Sequence, residues 1–288
     1  MFIRLLKFIK NIIIRVATDD FLGMAAEMAF YCILAVFPFL IFMTSIFGLI
    51  GNEHIVNSIL TNVSAIAPVN FVGYLGSALN EIIFNSTSKL MVVGFLTMVF
   101  VASNGMFVMI KGLNKAYNVE ETRPLWYTRL LAISLLFVMV FVIFISSNAL
   151  ILGKWILRYL IQLNILPVSA ALMISILRWP IVFFALFSAI FVNYYFMPNI
   201  PKNFKARWFS AIPGAFFFCF FWVFASWLFS VYLGHFNIYN KFYGALGVFA
   251  ISMLWFYYTS LIILIGGEIN SQFYNKLKDN EKCLSTII

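Results

Sequence analysis

Six long apolar runs, separated by polar segments, dominate this 288-residue chain. A helix needs about 20 mainly apolar residues to cross the ~30 Å hydrocarbon layer of a bilayer. A transmembrane β-barrel would instead alternate apolar and polar residues, which these runs do not do. The pattern therefore predicts an all-α, polytopic membrane protein with six transmembrane helices. We expect the spans at about residues 25–51, 90–110, 130–152, 170–196, 209–233 and 244–266.

Three segments outside these spans repeat apolar residues at helical spacing but are too polar to cross a membrane. Residues 1–17 place basic side chains from Arg4 to Arg15 on one face and leucine, isoleucine and valine on the other. That arrangement predicts an interfacial helix whose basic face meets anionic lipid headgroups. Residues 52–89 and 153–167 predict further amphipathic helices at the outer interface.

The chain divides into an amphipathic helix at residues 1–20, a six-helix membrane domain at residues 21–270 and a tail at residues 271–288. Lysine and arginine segregate between the two sides of the predicted bundle. The segments on the side of the termini carry 14 of them, whereas the opposite side carries 4. Because cytoplasmic loops are enriched in lysine and arginine, we expect both termini in the cytoplasm.

The composition supports a membrane protein and limits the kinds of molecule that we expect it to bind. Hydrophobic residues make up 64% of the chain and charged residues 10%, whereas about a quarter of a soluble domain is charged. The net charge of +9 is explained by orientation, so we expect membrane lipids and no nucleic acid as partners. Cys32, Cys219 and Cys283 have no metal-binding or disulfide spacing. We therefore predict no metal site and no cofactor.

Three stretches carry a resemblance to a known family. Residues 25–38 read AAEMAFYCILAVFP, residues 111–130 read KGLNKAYNVEETRPLWYTRL, and residues 242–270 end in GGEIN. In order and spacing they resemble the YihY/virulence factor BrkB family. The resemblance implies a six-helix protein of the bacterial inner membrane with cytoplasmic termini. Some members carry the label ribonuclease BN, and links of others to serum resistance and lipopolysaccharide transport have been proposed.

The residues do not favour the ribonuclease label. Metal-dependent cleavage of a phosphodiester needs clustered ligands for the ion, yet both histidines, His54 and His235, fall on the predicted outer side. Acid–base cleavage needs a positioned proton donor and acceptor. The loop after the second span offers four candidates: Glu120, Glu121, Arg123 and Arg129. We interpret them as a solvated, charge-paired loop and predict no catalytic residues and no enzymatic activity.

Four polar residues within the predicted spans are the candidate substrate-binding residues: Glu27, Asn104, Arg178 and Glu268. An ionisable group at bilayer depth costs at least ~2.5–3.5 kcal/mol on insertion scales. Glu27 and Glu268 either line one polar vestibule or are interfacial helix ends. Arg178 either reaches outward to lipid headgroups or faces a cavity to meet a phosphate or carboxylate. Asn104 either bonds across a helix interface or lines such a cavity.

Two function classes follow from these residues. The first is transport or translocation of an anionic lipid or small solute, favoured by the intramembrane charges and by prolines such as Pro38, Pro180 and Pro213, which kink helices. No glycine-rich phosphate loop is present to couple transport to ATP. The alternative is a scaffold or regulator of an envelope assembly. A cavity that reaches the charged residues favours transport, and a sealed bundle with a large exposed apolar patch favours the scaffold.

Overall fold

A computed structural model describes residues 2–50, 87–163, 167–200, 204–235 and 239–287. The described residues form α-helices and contain no strand. The helices are α1 (Phe2–Thr18), α2 (Phe21–Ile50), α3 (Ser88–Ala116), α4 (Leu125–Gln162), α5 (Val168–Phe196), α6 (Phe204–His235) and α7 (Tyr239–Ile287). The amphipathic helices expected within residues 52–89 lie almost wholly outside the described residues.

Six of the described helices, α2 to α7, are long and apolar enough to cross a membrane. Their candidate spans are Phe21–Leu49, Ser88–Ala116, Leu125–Ser146, Leu172–Phe196, Ala206–Val231 and Phe249–Asp279. The prediction of an all-α polytopic protein with six spans is confirmed.

Two helices extend beyond the apolar runs from which they were predicted. Helix α4 continues through residues 153–162, which we expected to form a separate interfacial helix. Helix α7 continues through most of the expected tail, to Ile287. Neither extension contains a proline, so nothing in the backbone chemistry forces the helix to stop where its side chains become polar.

The chain forms two compact units. Unit 1 comprises residues 1–30 and 103–288, and unit 2 comprises residues 31–102. Within unit 1, α4 packs on α5, α5 on α6, and α6 on α7, while α1 contacts α7. Within unit 2, α2 and α3 pack where Gly94 meets the backbone of Phe42, and the rings of Phe42 and Phe95 lie 5.3 Å apart.

Helices α5, α6 and α7 cross at a contact made of small and polar residues. Gly214 of α6 lies directly against Gly266 of α7, so that no side chain separates the two backbones. Pro213 removes one backbone donor from α6, and the next one, the N–H of Gly214, donates to Oδ1 of Asn270 at 2.6 Å. The hydroxyl of Tyr194 on α5 donates to the carbonyl oxygen of Ile263 at 2.7 Å. Close approach of this kind is typical of small residues at membrane helix interfaces.

We expect Gly214→Ala to destabilise the protein by about 1–3 kcal/mol, the usual cost of overpacking. The added Cβ would overlap the carbonyl oxygen of Gly266, which is backbone and cannot rotate away. The measurement is the thermal unfolding midpoint in detergent. Gly23→Ala is the matched control, because the nearest atoms to its Cβ would be those of the carboxylate of exposed Asp20, which is able to rotate. Equal midpoints for the two variants would contradict the importance of this contact.

Candidate functional site

Several helices of unit 1 begin or end in one region, which we call the polar end of unit 1. It is defined by residues 15–21, 113–129, 193–200 and 206–214. Asn114 organises it. Its Nδ2 donates to Glu121 at 2.8 Å, and its Oδ1 accepts from the backbone N–H of Asn199 at 2.8 Å. Because Asn114 is buried and both sides of its amide are used, it ties the loop after α3 to the end of α5.

Arg123 and Glu121 form a forked ion pair in the same loop. The Nε and Nη2 atoms of Arg123 lie 2.7 and 2.6 Å from the two oxygens of Glu121, and Nη2 also donates to the carbonyl oxygen of Met197 at 2.7 Å. Partial burial raises the pKa of the Glu121 carboxyl. The hydrogen bonds from Arg123 and Asn114, with the charge of Arg123, outweigh that effect and hold the pKa below its ordinary value.

Glu268 is fully buried on α7 and pairs with the amphipathic helix. The Nε of Arg15 lies 3.4 Å from Oε1 of Glu268, and Gln272 donates to the same oxygen at 3.0 Å. Arg15 also donates to the carbonyl oxygen of Ala116 at 3.2 Å. Arg15, predicted to face lipid headgroups, is therefore turned toward the bundle, where it neutralises a buried carboxylate.

The structure does not bring Glu27 to Glu268. Glu27 is exposed on α2, whereas Glu268 is fully buried on α7, and no hydrogen bond joins the two carboxyl groups. Asn104 lies on α3 and accepts a hydrogen bond from Nη1 of Arg129 on α4 at 2.7 Å. Arg129 also donates to Ser103 at 3.2 Å. Asn104 thus occupies a bond between two helices, the first of the two roles expected for it.

A cavity of about 1070 Å³, which we call the groove, lies among α4, α5, α6 and α7. Its walls are apolar and aromatic, and Trp179, Phe184 and Val223 on its margin are more than half exposed, so it opens to the lipid-facing surface. Two hydroxyls interrupt these walls. The Oγ of Ser146 and the Oγ1 of Thr259 are buried and have no hydrogen-bond partner within the described ranges.

Arg178 is next to the groove along the chain but is not one of its lining residues. The next residue, Trp179, lines the groove, and the Arg178 guanidinium lies 5.9 Å from the centre of its ring. The Nε and Nη1 atoms are buried, and no described residue hydrogen-bonds to them. A buried charged donor without a partner is costly, so this guanidinium is chemically suited to an anion that enters from outside the protein.

Sequence reasoning identified Arg178 but missed Ser146 and Thr259. A single hydroxyl in an apolar span usually bonds back to its own helix, as Ser134 does to Leu130 at 2.8 Å. The sequence therefore carries no signal that separates these two residues from the ordinary case. Among the residues that the structure describes, no group of three or more His, Cys, Asp or Glu is placed to hold a metal ion.

Comparison with known proteins agrees with the resemblance seen in the sequence. A family model described as virulence factor BrkB matches residues 12–284. The ribonuclease-like protein YfkH of Bacillus subtilis is 31% identical over 280 residues, which cover 95% of this chain and 97% of that protein. No solved structure matches the chain.

More distant relatives bear the name UPF0761 membrane protein. One from Legionella pneumophila (strain Corby) is 26% identical over 270 residues, covering 93% of this chain and 62% of that protein. The chain thus spans about three-fifths of the length of that relative. Another, from Vibrio vulnificus, is 28% identical over 273 residues, covering 92% of this chain and 81% of that protein.

The lowered pKa of Glu121 predicts an acid-sensitive loop. A carboxylate whose pKa falls on folding contributes stability that is complete above the ordinary pKa of about 4.5 and is lost as pH falls through the folded-state pKa. We therefore expect Glu121→Gln to lower the thermal midpoint near pH 7, and the gap to wild type to shrink below pH 4.5. Glu120→Gln, at an exposed neighbour, is the control. A gap independent of pH would contradict the ion-pair account.

The Arg15–Glu268 pair predicts non-additive mutations. Arg15→Gln alone leaves the buried carboxylate of Glu268 without its cation. In a protein that already carries Glu268→Gln, the same substitution leaves no charge unpaired at this position. We expect a coupling free energy of about 0.5–3 kcal/mol from the double-mutant cycle, measured by thermal or chemical unfolding in detergent. If the two single effects simply add, the contact does not stabilise the fold.

Proposed function

The chain belongs to the virulence factor BrkB family, and we propose that this multi-pass membrane protein translocates an anionic lipid along the groove. The observation that carries the proposal is the guanidinium of Arg178. Its buried Nε and Nη1 have no partner in the described part of the chain, and the next residue, Trp179, lines an apolar cavity. A guanidinium forms forked hydrogen bonds with phosphate or carboxylate oxygens.

The groove offers each part of such a lipid a matching surface. The headgroup meets Arg178, and the acyl chains lie along the apolar walls through the opening beside Phe184. Ser146 on α4 and Thr259 on α7 present hydroxyls in the groove that have no partner among the described residues. These hydroxyls hydrogen-bond the headgroup as it passes, which lowers the cost of moving a polar group through the membrane. Of the four candidates, only Arg178 is adjacent in the chain to a residue that lines the groove, Trp179, so the proposed path uses Arg178 and not Glu27, Asn104 or Glu268.

We place the protein in the bacterial inner membrane with both termini in the cytoplasm. The distribution of lysine and arginine supports this orientation, with 14 on the side of the termini and 4 on the other. Arg178 then lies near the outer leaflet and the polar end near the inner leaflet. The lipid partner accordingly enters or leaves the groove at the outer leaflet.

We also propose that the protein is not an enzyme, although one relative is named ribonuclease-like. Both oxygens of Glu121 accept hydrogen bonds from Arg123 and Asn114. Since its pKa is held below the ordinary value, Glu121 is a poor proton acceptor near pH 7. The charged loop thus serves to join helix ends rather than to cleave phosphodiesters.

The test is lipid transfer in proteoliposomes that contain phosphatidylglycerol with a fluorescent acyl chain, read by chemical bleaching of the outer leaflet. We expect Arg178→Gln to slow transfer about tenfold or more, the usual effect of losing a charge-assisted hydrogen bond. Arg178→Lys keeps the positive charge but loses the forked pair of hydrogen-bond donors, so we expect its transfer rate to fall between those of wild type and Arg178→Gln.

Lys278→Gln is the control for Arg178→Gln, because it also removes one positive charge but lies on an exposed position of α7. It should transfer lipid at the wild-type rate. Equal rates for wild type and Arg178→Gln at equal protein levels would remove Arg178 from the path. Wild-type protein that transfers no lipid above protein-free liposomes would overturn the translocation proposal and favour the scaffold.

A further inference from the structure

A second cavity, separate from the groove, lies at the polar end. It measures about 640 Å³ and is bounded by the start of α4, the end of α5 and the start of α6. Two arginines, Arg123 and Arg207, line it together with two tyrosines, Tyr127 and Tyr195. We call this cavity the arginine pocket. None of its lining residues is shared with the groove.

The two arginines of the pocket differ in their charge balance. Arg123 is neutralised by its forked pair with Glu121. Arg207 is held instead by neutral groups, since its Nε donates to the carbonyl oxygen of Tyr195 at 2.6 Å and its Nη2 to that of Pro198 at 3.3 Å. Among the described residues no carboxylate lies within ion-pair distance of Arg207. The arginine pocket therefore carries about one net positive charge.

Arg207 is also oriented before any ligand arrives. The carbonyls that it binds lie at the C-terminal end of α5, where unpaired carbonyls attract a cation. Its guanidinium packs 4.8 Å from the ring centre of Tyr195. The two N–H groups of its Nη1 have no protein partner in the described ranges. Two donors on a fixed planar group suit the oxygens of a phosphate, and a guanidinium that is already ordered binds at a lower entropic cost.

The depth of the arginine pocket points to a lipid rather than to a dissolved anion. Trp126 and Tyr127 begin α4, Trp208 begins α6, and all three side chains are exposed. Exposed tryptophan and tyrosine at the ends of spans are typical of the headgroup level of a bilayer. The pocket also has apolar walls, including Ile200 and, about one turn farther along α4 than Tyr127, Leu131. A ligand that fits therefore bears an anion at the interface and apolar atoms beneath it.

We propose that the arginine pocket binds the phosphate-bearing headgroup of an anionic membrane lipid. Nη1 of Arg207 binds the phosphate oxygens, and Arg123, fixed by Glu121, forms the opposite polar wall. The apolar residues receive the first carbons of the acyl chains. This binding goes beyond the proposed function, because a lipid that occupies the pocket need not be translocated.

Photoaffinity labelling of the full-length protein tests this site directly. The probe is phosphatidylglycerol with a diazirine near the start of one acyl chain, added to protein in detergent, with labelled peptides mapped by mass spectrometry. We expect labels on residues 124–131 and 195–200. Unlabelled phosphatidylglycerol should compete, whereas phosphatidylcholine and inorganic phosphate should compete at least about tenfold more weakly. Arg207→Gln should reduce the labelling about tenfold or more, and Lys278→Gln should leave it unchanged.

A second variant separates binding from folding, since Arg207 also holds the end of α5. Leu131→Trp fills the pocket without altering either arginine, and it should reduce labelling at an unchanged thermal midpoint. Undiminished labelling in both variants would overturn the site. Equal competition by phosphatidylcholine would show that the anion is not recognised, and equal competition by inorganic phosphate would show a site for dissolved anions; either result would overturn the proposal. Specific labelling of protein that transfers no lipid would still support it.

Discussion

The structure of unit 1 depends on the contact made by five consecutive residues of α7, Gly266 to Asn270. Gly266 allows the hydroxyl of Tyr194 to reach α7, and Gly267 allows the side chain of Leu113 to do so. Glu268 holds Arg15 of the amphipathic helix. Asn270 accepts from the backbone N–H of Gly214, next to the proline of α6. One turn and a half of helix thus contacts α1, α3, α5 and α6.

This contact determines where the groove begins. Small residues bring α5, α6 and α7 together at the level of Tyr194 and Gly214, whereas the walls beyond that level are built from Phe, Trp and Ile side chains. Ile190 and Ile263 line the groove within one turn of the crossing. Bulky side chains hold helices farther apart than glycine does. The same helices therefore pack tightly at the polar end and enclose a cavity farther along.

The spans were predictable because a helix that crosses the hydrocarbon layer must be about 20 residues long and mainly apolar. The GGEIN pattern was also identified, but as a family resemblance and not as a packing contact. The rotation of each helix about its own axis, which decides which side chains face the bundle, could not be predicted from the sequence. Glu27 and Glu268 have similar predicted depths, yet one is exposed and the other fully buried. The pattern of residues 1–17 places Arg15 on the basic face that meets headgroups, because its buried partner, Glu268, lies more than 250 residues away in the chain and leaves no local signal.

The arginine pocket was missed for a different reason. Arg123 and Arg207 lie in basic segments whose positive charge already had an explanation in membrane orientation. Orientation accounts for the number of positive charges but not for which of them lack a counter-ion. Which arginine lacks a counter-ion is known only from the side-chain contacts in the structure. Glu121 neutralises Arg123, while Arg207 is bound by carbonyl oxygens. Arg178 was easier to find, since an arginine inside an apolar run has no such explanation.

The two arginine sites and the groove together restrict the ligand that fits this protein. From residue 178 to residue 195, α5 rises about 25 Å, so the two sites lie nearly a hydrocarbon thickness apart. A small anion would satisfy either guanidinium but would leave the apolar groove unfilled. A neutral lipid would fill the groove but would leave the donors of Arg178 unpaired, at the cost of a buried charge. Only a molecule with both an anionic group and apolar chains satisfies the two requirements together, and for this reason we propose an anionic lipid.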